Sequence, residues 1–352
     1  MTSLADVARM RLFSQRLIDP LPDAAAVVRH FGCLQGQDYP GSSTSIALRT
    51  ADRTLAGVRA GYDSGALVRS WPMRGTLFVV PAEDLSWMLA LTAPSVLRQT
   101  TRRREQLGLD AAALDRAEAV ARARLAGAGA TRAELLEAWG EAGHDVAGGR
   151  GYHSIFHLAV RGVLCQGPTT GKEQRFVLTE EWITAPASWQ GPEAVAQWFG
   201  RYVRSHGPVP SADFLWWTKL RARDLAPVLE QAREQFEVVD VDGVEHWVDP
   251  AVTAAFDQRT RASAAPLLLP GFDELVLGYG NRRAILSAQE ESQVVPGGNG
   301  VFRPTVIRAG RAVGTWKRPA RAGASVAVEP FTGALPGPVE RALPRLTAAL
   351  PT

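Results

Sequence analysis

Gln35 and Gln37, with only Gly36 between them, are the side chains in this sequence hardest to explain as packing. They sit in Phe31-Gly-Cys-Leu-Gln-Gly-Gln-Asp-Tyr-Pro40. Carboxamides bring donors and acceptors that a core must satisfy, but no charge and no useful pKa. Two of them on a short loop, pinned between a helix end and a proline, are suited to holding a water molecule in a fixed direction. Asp38 follows directly and can add negative charge or cap the loop. A Gln-x-Gln is also what an ordinary solvated loop looks like, so its meaning depends on the rest of the chain.

Other chemistries find less support. Gly167-Pro-Thr-Thr-Gly-Lys172 is one residue short of a phosphate-binding P-loop, and Glu173 stands where a hydroxyl must hold magnesium. It reads as a Gly/Pro hairpin tip. His153 and His157 are four apart on a predicted helix, but no thiol or carboxylate pattern completes a zinc set, so one packed and one surface histidine are expected. No Gly-x-Ser-x-Gly elbow supports a hydrolase triad. Arg102-Arg-Arg104 forms either a solvated helix face or a phosphate contact. Trp216-Trp217 reads as core rather than as a base-stacking platform. Asp273-Glu274 could form a carboxylate pair, but as strand neighbours they would face opposite sides.

At 352 residues the chain is too long for one small core, and its 46% hydrophobic and 21% charged content is that of an ordinary soluble protein. No apolar run approaches a membrane span, and no basic segment followed by an apolar stretch suggests a secretory leader. Two cysteines, Cys33 and Cys165, fit a reducing cytosol and exclude a disulfide framework or cysteine zinc site. A cytoplasmic protein without metal or other cofactor is expected. The net charge is only +3, yet nearly all the basic residues are arginine, with lysine only at Lys172, Lys219 and Lys317. Arginine suits bidentate phosphate contacts, although a coding bias that also enriches Ala, Gly and Pro explains the excess equally well.

The elements that must position the Gln loop repeat along the chain. Leu4, Val7, Ala8, Leu12 and Leu17 recur at helical spacing, a second helix covers about 23–31, and two more are predicted over 43–48 and 52–62. Leu67–Val80 then reads as a hairpin around Trp-Pro and Arg-Gly turns. The order returns with a helix over 110–125, a Thr131/Glu134 capping box, a helix over 152–160 and a hairpin over 164–178. It returns again with helices over 192–205, from a Ser211 cap to Trp217, and over 221–234, before a hairpin turning at Asp242-Gly243. Helices followed by a two-stranded hairpin are the pattern of a winged helix. The expected fold is α+β: three tandem winged-helix units over 1–107, 108–190 and 191–262. A small β-barrel-like domain over 263–352, closed by a helix near 339–349, follows them.

The Gln35/Gln37 loop, Met73-Arg-Gly-Thr-Leu77, Leu268-Leu-Pro-Gly-Phe-Asp-Glu-Leu-Val-Leu-Gly-Tyr279, Asn299-Gly-Val-Phe-Arg-Pro304 and Gly314-Thr-Trp316 follow one another in a telling order. Together they resemble the winged-helix DNA glycosylase family of AlkZ and YcaQ, over nearly the whole chain. That family unhooks crosslinks and removes bulky alkylated purines. The resemblance implies three winged helices with a C-terminal β-barrel, and a catalytic Gln, apolar residue, Gln or Asp pattern that falls on Gln35 and Gln37. Two positions depart from it: Gly36 replaces the apolar residue, and Phe78 stands where histidine is expected.

The implied activity is monofunctional hydrolysis of the N-glycosidic bond of N7- or N3-alkylated purines, including interstrand crosslinks. It would serve base-excision repair or self-resistance to a DNA-alkylating natural product. Asp38 and Arg74 are expected to support the site. Arg69, Arg102, Arg103, Arg104, Lys172, Arg175 and Arg303 are expected to contact double-stranded DNA, with the protein acting as a monomer away from membranes. Two rivals stay open: a non-catalytic winged-helix regulator, and a protein that sequesters a toxic drug.

Overall fold

The computed structural model describes residues 2–171, 173–298, 300–318 and 324–352. Lys172 and Asn299 lie outside the described residues. The chain is a mixture of helices and antiparallel sheet that packs as two compact units. One joins Met1–Val58 to Val195–Thr352, and the other runs Arg59–Ala194.

In the first unit, local sequence sets each helix end. Ser3 and Asp6 close a reciprocal capping box at the head of helix Leu4–Ser14. Asp23 caps helix Ala24–Phe31 through the Ala26 N–H at 2.8 Å, and Gly32, at φ 76°, ends it. The next helix runs Tyr39–Ala47, starting earlier than the expected 43–48. Pro40 falls in its first turn, where a missing N–H leaves nothing unpaired. Helix Ser211–Thr218 has Pro210, not Ser211, in the cap position; the proline's fixed backbone sets the entry angle, and no side chain caps it.

Packing then joins distant segments. Met10 and Phe13 bury against Val248, Val252 and Phe256, while Val7 and Ala8 meet Val241 and Ala284. The first helix thus rests on the hairpin formed by Glu237–Val241 and Val244–Val248. That hairpin turns at Asp242 (φ 54°) and Gly243 (φ 79°), the two-residue turn that the Asp-Gly pair specifies.

The C-terminal region is not a barrel. Among the described residues it is an open antiparallel sheet of four strands, in the order Ala327–Pro330, Arg311–Lys317, Thr305–Arg308, Leu267–Leu269. Four strands are too few to close around their own side chains. The apolar face of the sheet is covered instead by helix Gly337–Ala348: Leu268, Val306, Trp316 and Val326 share one core with Val339 and Leu346.

In the second unit, hairpins Leu67–Met73/Thr76–Pro81 and Leu164–Thr170/Glu173–Leu178 are joined edge to edge through Arg69 and Gln166. Helices Leu85–Gln99, Ala111–Leu125, Arg132–Glu141 and Arg150–Val160 surround a core of Trp71, Trp139, Ile155, Phe156, Leu164 and Phe176. The Thr131/Glu134 capping box is present, with both bonds formed.

Candidate active site

The Gln loop lies in the first unit, between the end of helix Ala24–Phe31 and the start of helix Tyr39–Ala47. Its two amides differ in setting: Gln35 is 8% exposed, whereas Gln37 faces solvent. Gly36 N–H donates to Gln35 Oε1 at 3.1 Å, so the carbonyl end of Gln35 is tied to its own loop. Asp38 occupies the cap position, and its backbone oxygen accepts from Ser42 N–H at 2.9 Å. Its half-buried carboxylate makes no capping bond. Gly41 lets the chain pack closely here: a Cβ would lie 2.5 Å from Asp38 Oδ2 and 3.1 Å from Gly271 O.

Beneath the loop is a buried polar network. Gln35 N–H donates to Glu274 Oε2 at 3.3 Å. The other oxygen, Glu274 Oε1, accepts from Trp217 Nε1–H at 2.8 Å and stands 3.3 Å from His206 Nε2. His206 is fully buried and stacks on Tyr202, with ring centroids 4.2 Å apart. Gly278 makes room for that imidazole; a Cβ there would lie 2.5 Å from His206 Nε2. Burial pushes the His206 pKa down, while the bond to Glu274 pulls it up; the net shift is downward.

Asp273 heads helix Glu274–Leu277 and holds a separate set of partners. Arg49 donates to both of its oxygens at 2.8 and 2.9 Å, and Ser45 Oγ to one at 2.7 Å. Burial alone would raise the Asp273 pKa. The Arg49 charge, with the bonds from Arg49, Ser45 and Leu275 N–H, outweighs it and holds the carboxyl below its ordinary value. The two acids are the start of a helix rather than part of a strand, yet each still has its own partners. Composition offered one signal that sequence reading passed over: two acids inside an otherwise apolar run are too costly to bury without dedicated partners. Sequence reading missed the roles of Arg49, His206 and Trp217 as well, because their partners lie far away in the chain.

The structure brings Gln35, Gln37 and Asp38 together in one loop. Arg303, in the same unit, is exposed, with Nη1 3.4 Å from Gln293 O. The remaining candidates lie in the second unit. Arg74 (φ 55°) and Gly75 (φ 68°) form the turn of the first hairpin, and the Arg74 guanidinium lies 5.2 Å over the Phe78 ring. Phe78 is completely buried. Arg69 is buried and donates to Gln174 Oε1 at 2.6 Å. Arg175 holds Ala128 O and Gly129 O at 3.0 and 2.7 Å. Arg102 and Arg103 are exposed on helix Thr101–Gln106, while Arg104 bonds Leu97 O and Thr100 Oγ1. His157 is packed and His153 partly exposed; burial, with help from Arg104 and Arg161, lowers the His157 pKa to about 4.

Known proteins share this architecture. The model of the AlkZ-like DNA glycosylase family matches residues 28–350. An interstrand DNA cross-link repair glycosylase of Streptomyces sahachiroi is 27% identical over 325 residues, covering 84% of this chain and 82% of that protein. The solved structure of Streptomyces sahachiroi DNA glycosylase AlkZ is similar in fold, with a TM-score of 0.80 at 24% identity, over 99% of this chain and 98% of that one. The class of enzyme is therefore DNA glycosylase. Within that class, the chain belongs to the AlkZ-like family.

Proposed function

We propose that this enzyme is a monofunctional glycosylase that hydrolyses the N-glycosidic bond of bulky N7- or N3-alkylated purines in double-stranded DNA, interstrand crosslinks included. The observation that carries the reading is the Gln loop itself: Gln35 has its backbone N–H on a buried network and its side-chain oxygen held by Gly36 N–H, and Gln37 is presented to solvent. An N7- or N3-alkylated purine is cationic, so its glycosidic bond is already weak and the base leaves without protonation. The bonding electrons go to the departing base and neutralise it. Water adds to C1′ of the resulting oxocarbenium-like sugar and releases one proton. The protein has to aim that water and stabilise developing positive charge, which oriented dipoles can do. Gln37 holds the water, Gln35 fixes the loop's direction, and Asp38 supplies negative charge from the adjacent helix start.

Strand cleavage through a Schiff base needs a free amine near the sugar. Of the three lysines in the chain, Lys317 is paired with Glu329 and Lys219 lies over the Trp216 ring. Simple hydrolysis is the better fit. Three tandem winged helices over 1–107, 108–190 and 191–262 account for the recurring helix-then-hairpin order, with 263–352 as a C-terminal domain. The exposed Arg102, Arg103 and Arg303 are suited to phosphate contacts, with Arg74 at the first hairpin turn in support. We place the enzyme as a cytoplasmic monomer. It acts in base-excision repair or in self-resistance to a DNA-alkylating natural product; its relative is named for interstrand DNA cross-link repair. The test is to incubate the protein with duplexes carrying defined N7-guanine adducts and assay alkali-labile sites. Adducts that persist on every substrate tried would refute the substrate assignment.

A further inference from the structure

Hydrogens can be counted beneath the Gln loop. Ser205 Oγ lies 2.7 Å from Arg201 O and 2.8 Å from His206 Nδ1. A carbonyl oxygen only accepts, so the single hydroxyl hydrogen of Ser205 points to Arg201. His206 Nδ1 must then carry a hydrogen and donate to Ser205 Oγ. A neutral imidazole has one N–H, so a His206 protonated at Nδ1 alone would face Glu274 Oε1 with a bare Nε2, lone pair against lone pair at 3.3 Å. Both side chains are almost wholly buried, with 0% and 1% exposure, and no water can separate them. Among the described residues, no arginine or lysine bonds to Glu274. Arg49 is taken by Asp273, and Arg11 lies 3.7 Å over the Tyr279 ring with its bonds on Pro208 O.

We propose that His206 and Glu274 hold one proton between Nε2 and Oε1, and that this electrically neutral pair is the positioning device for Gln35. One proton satisfies every group present: Oε1 still accepts from Trp217, Oε2 still accepts from Gln35 N–H, and no net charge is left in the core. Burial drives the imidazole toward neutrality while the Glu274 bond draws it back. Two adjacent acids thereby do different work. Asp273 anchors the segment through a full ion pair with Arg49, and Glu274 presents an acceptor to the catalytic loop without carrying net charge there. The positioning role rests on Gln35 being part of the active site; the shared proton does not.

Two measurements test the two halves. Protein labelled with nitrogen-15 at histidine, with His206→Gln for assignment, reports the ring by NMR and needs no activity. A protonated Nδ1 at neutral pH is expected, and a His206 carrying hydrogen only on Nε2 overturns the shared proton. Single-turnover base release is then compared for Glu274→Ala and Glu274→Gln, alongside affinity for undamaged duplex. Alanine should slow release at least about tenfold with affinity changed by less than about twofold, the signature of an effect confined to the transition state. Glutamine keeps an acceptor for Gln35 N–H and a donor for His206 but gives up the acceptor of Trp217 Nε1–H, and should recover part of that loss. Alanine at the wild-type rate, or glutamine as slow as alanine, overturns the positioning role. If alanine fails to fold, glutamine decides alone: a rate loss of more than about tenfold counts against the proposal. Wild type that releases no base from any adduct sinks the substrate reading instead, while the NMR result still decides the proton.

Discussion

Replacing Gln37 and Gln35 in turn should separate catalysis from stability. Gln37 is exposed and opens no cavity when truncated, so Gln37→Ala should leave the unfolding free energy within about 0.5 kcal/mol of wild type. Its loss removes one oriented group at the water. By analogy with deletion of a single oxyanion-hole donor, that is worth about 2–4 kcal/mol, or about 30- to 1000-fold in rate. Gln35 is 8% exposed and accepts from Gly36 N–H, so Gln35→Ala should slow the reaction similarly and also cost about 1 kcal/mol of stability, since that hydrogen bond is lost. DNA affinity should hardly change in either variant, because arginine contacts with phosphate act equally in ground and transition states. The assay is single-turnover base release from an N7-alkylated duplex at saturating enzyme, read beside urea denaturation and duplex binding. Wild-type release by Gln37→Ala would refute the assignment of the loop; a large stability loss in that variant would refute the claim that it is a surface group.

Asp273→Asn should destabilise the protein by about 3–5 kcal/mol, because it leaves the Arg49 guanidinium buried without counter-charge, both side chains being 0% exposed; a loss under about 1 kcal/mol in chemical denaturation would contradict this. Acid should weaken the fold from the histidine range downward. Burial lowers the His30 pKa from 6.5 to about 3 and that of His157 to about 4, so below pH 6.5 the unfolded chain binds protons that the folded one does not. Each group then contributes at most about 1.4 kcal/mol of lost stability per pH unit until its folded pKa is reached, and denaturation midpoints that stay level from about pH 7 to about pH 4 would count against it. Affinity for undamaged duplex should fall steeply with salt as phosphate contacts release counterions; a log–log slope near zero is the contrary result. Base release should survive EDTA, whereas activity lost to chelation and restored by one divalent ion would overturn hydrolysis by amides alone.

Much of the local structure was legible because its causes are local. The Asp242-Gly243 turn is fixed by two residues that tolerate positive φ, and the Thr131/Glu134 box closes over three positions of one chain segment. Helix periodicity located the elements on either side of the Gln loop for the same reason. Chain order and motif spacing were also enough to point to the AlkZ-like family. Tertiary structure decided what no local rule encodes. The C-terminal strands could have covered their apolar face by curling into a barrel or by accepting a helix, and only the docking of Val339 and Leu346 settles that choice. Asp273 and Glu274 are neighbours in the chain, yet one meets Arg49 and the other meets Gln35, His206 and Trp217, all distant in sequence. Burial makes every polar atom demand a partner, and the partner's identity depends on which segments the fold packs together.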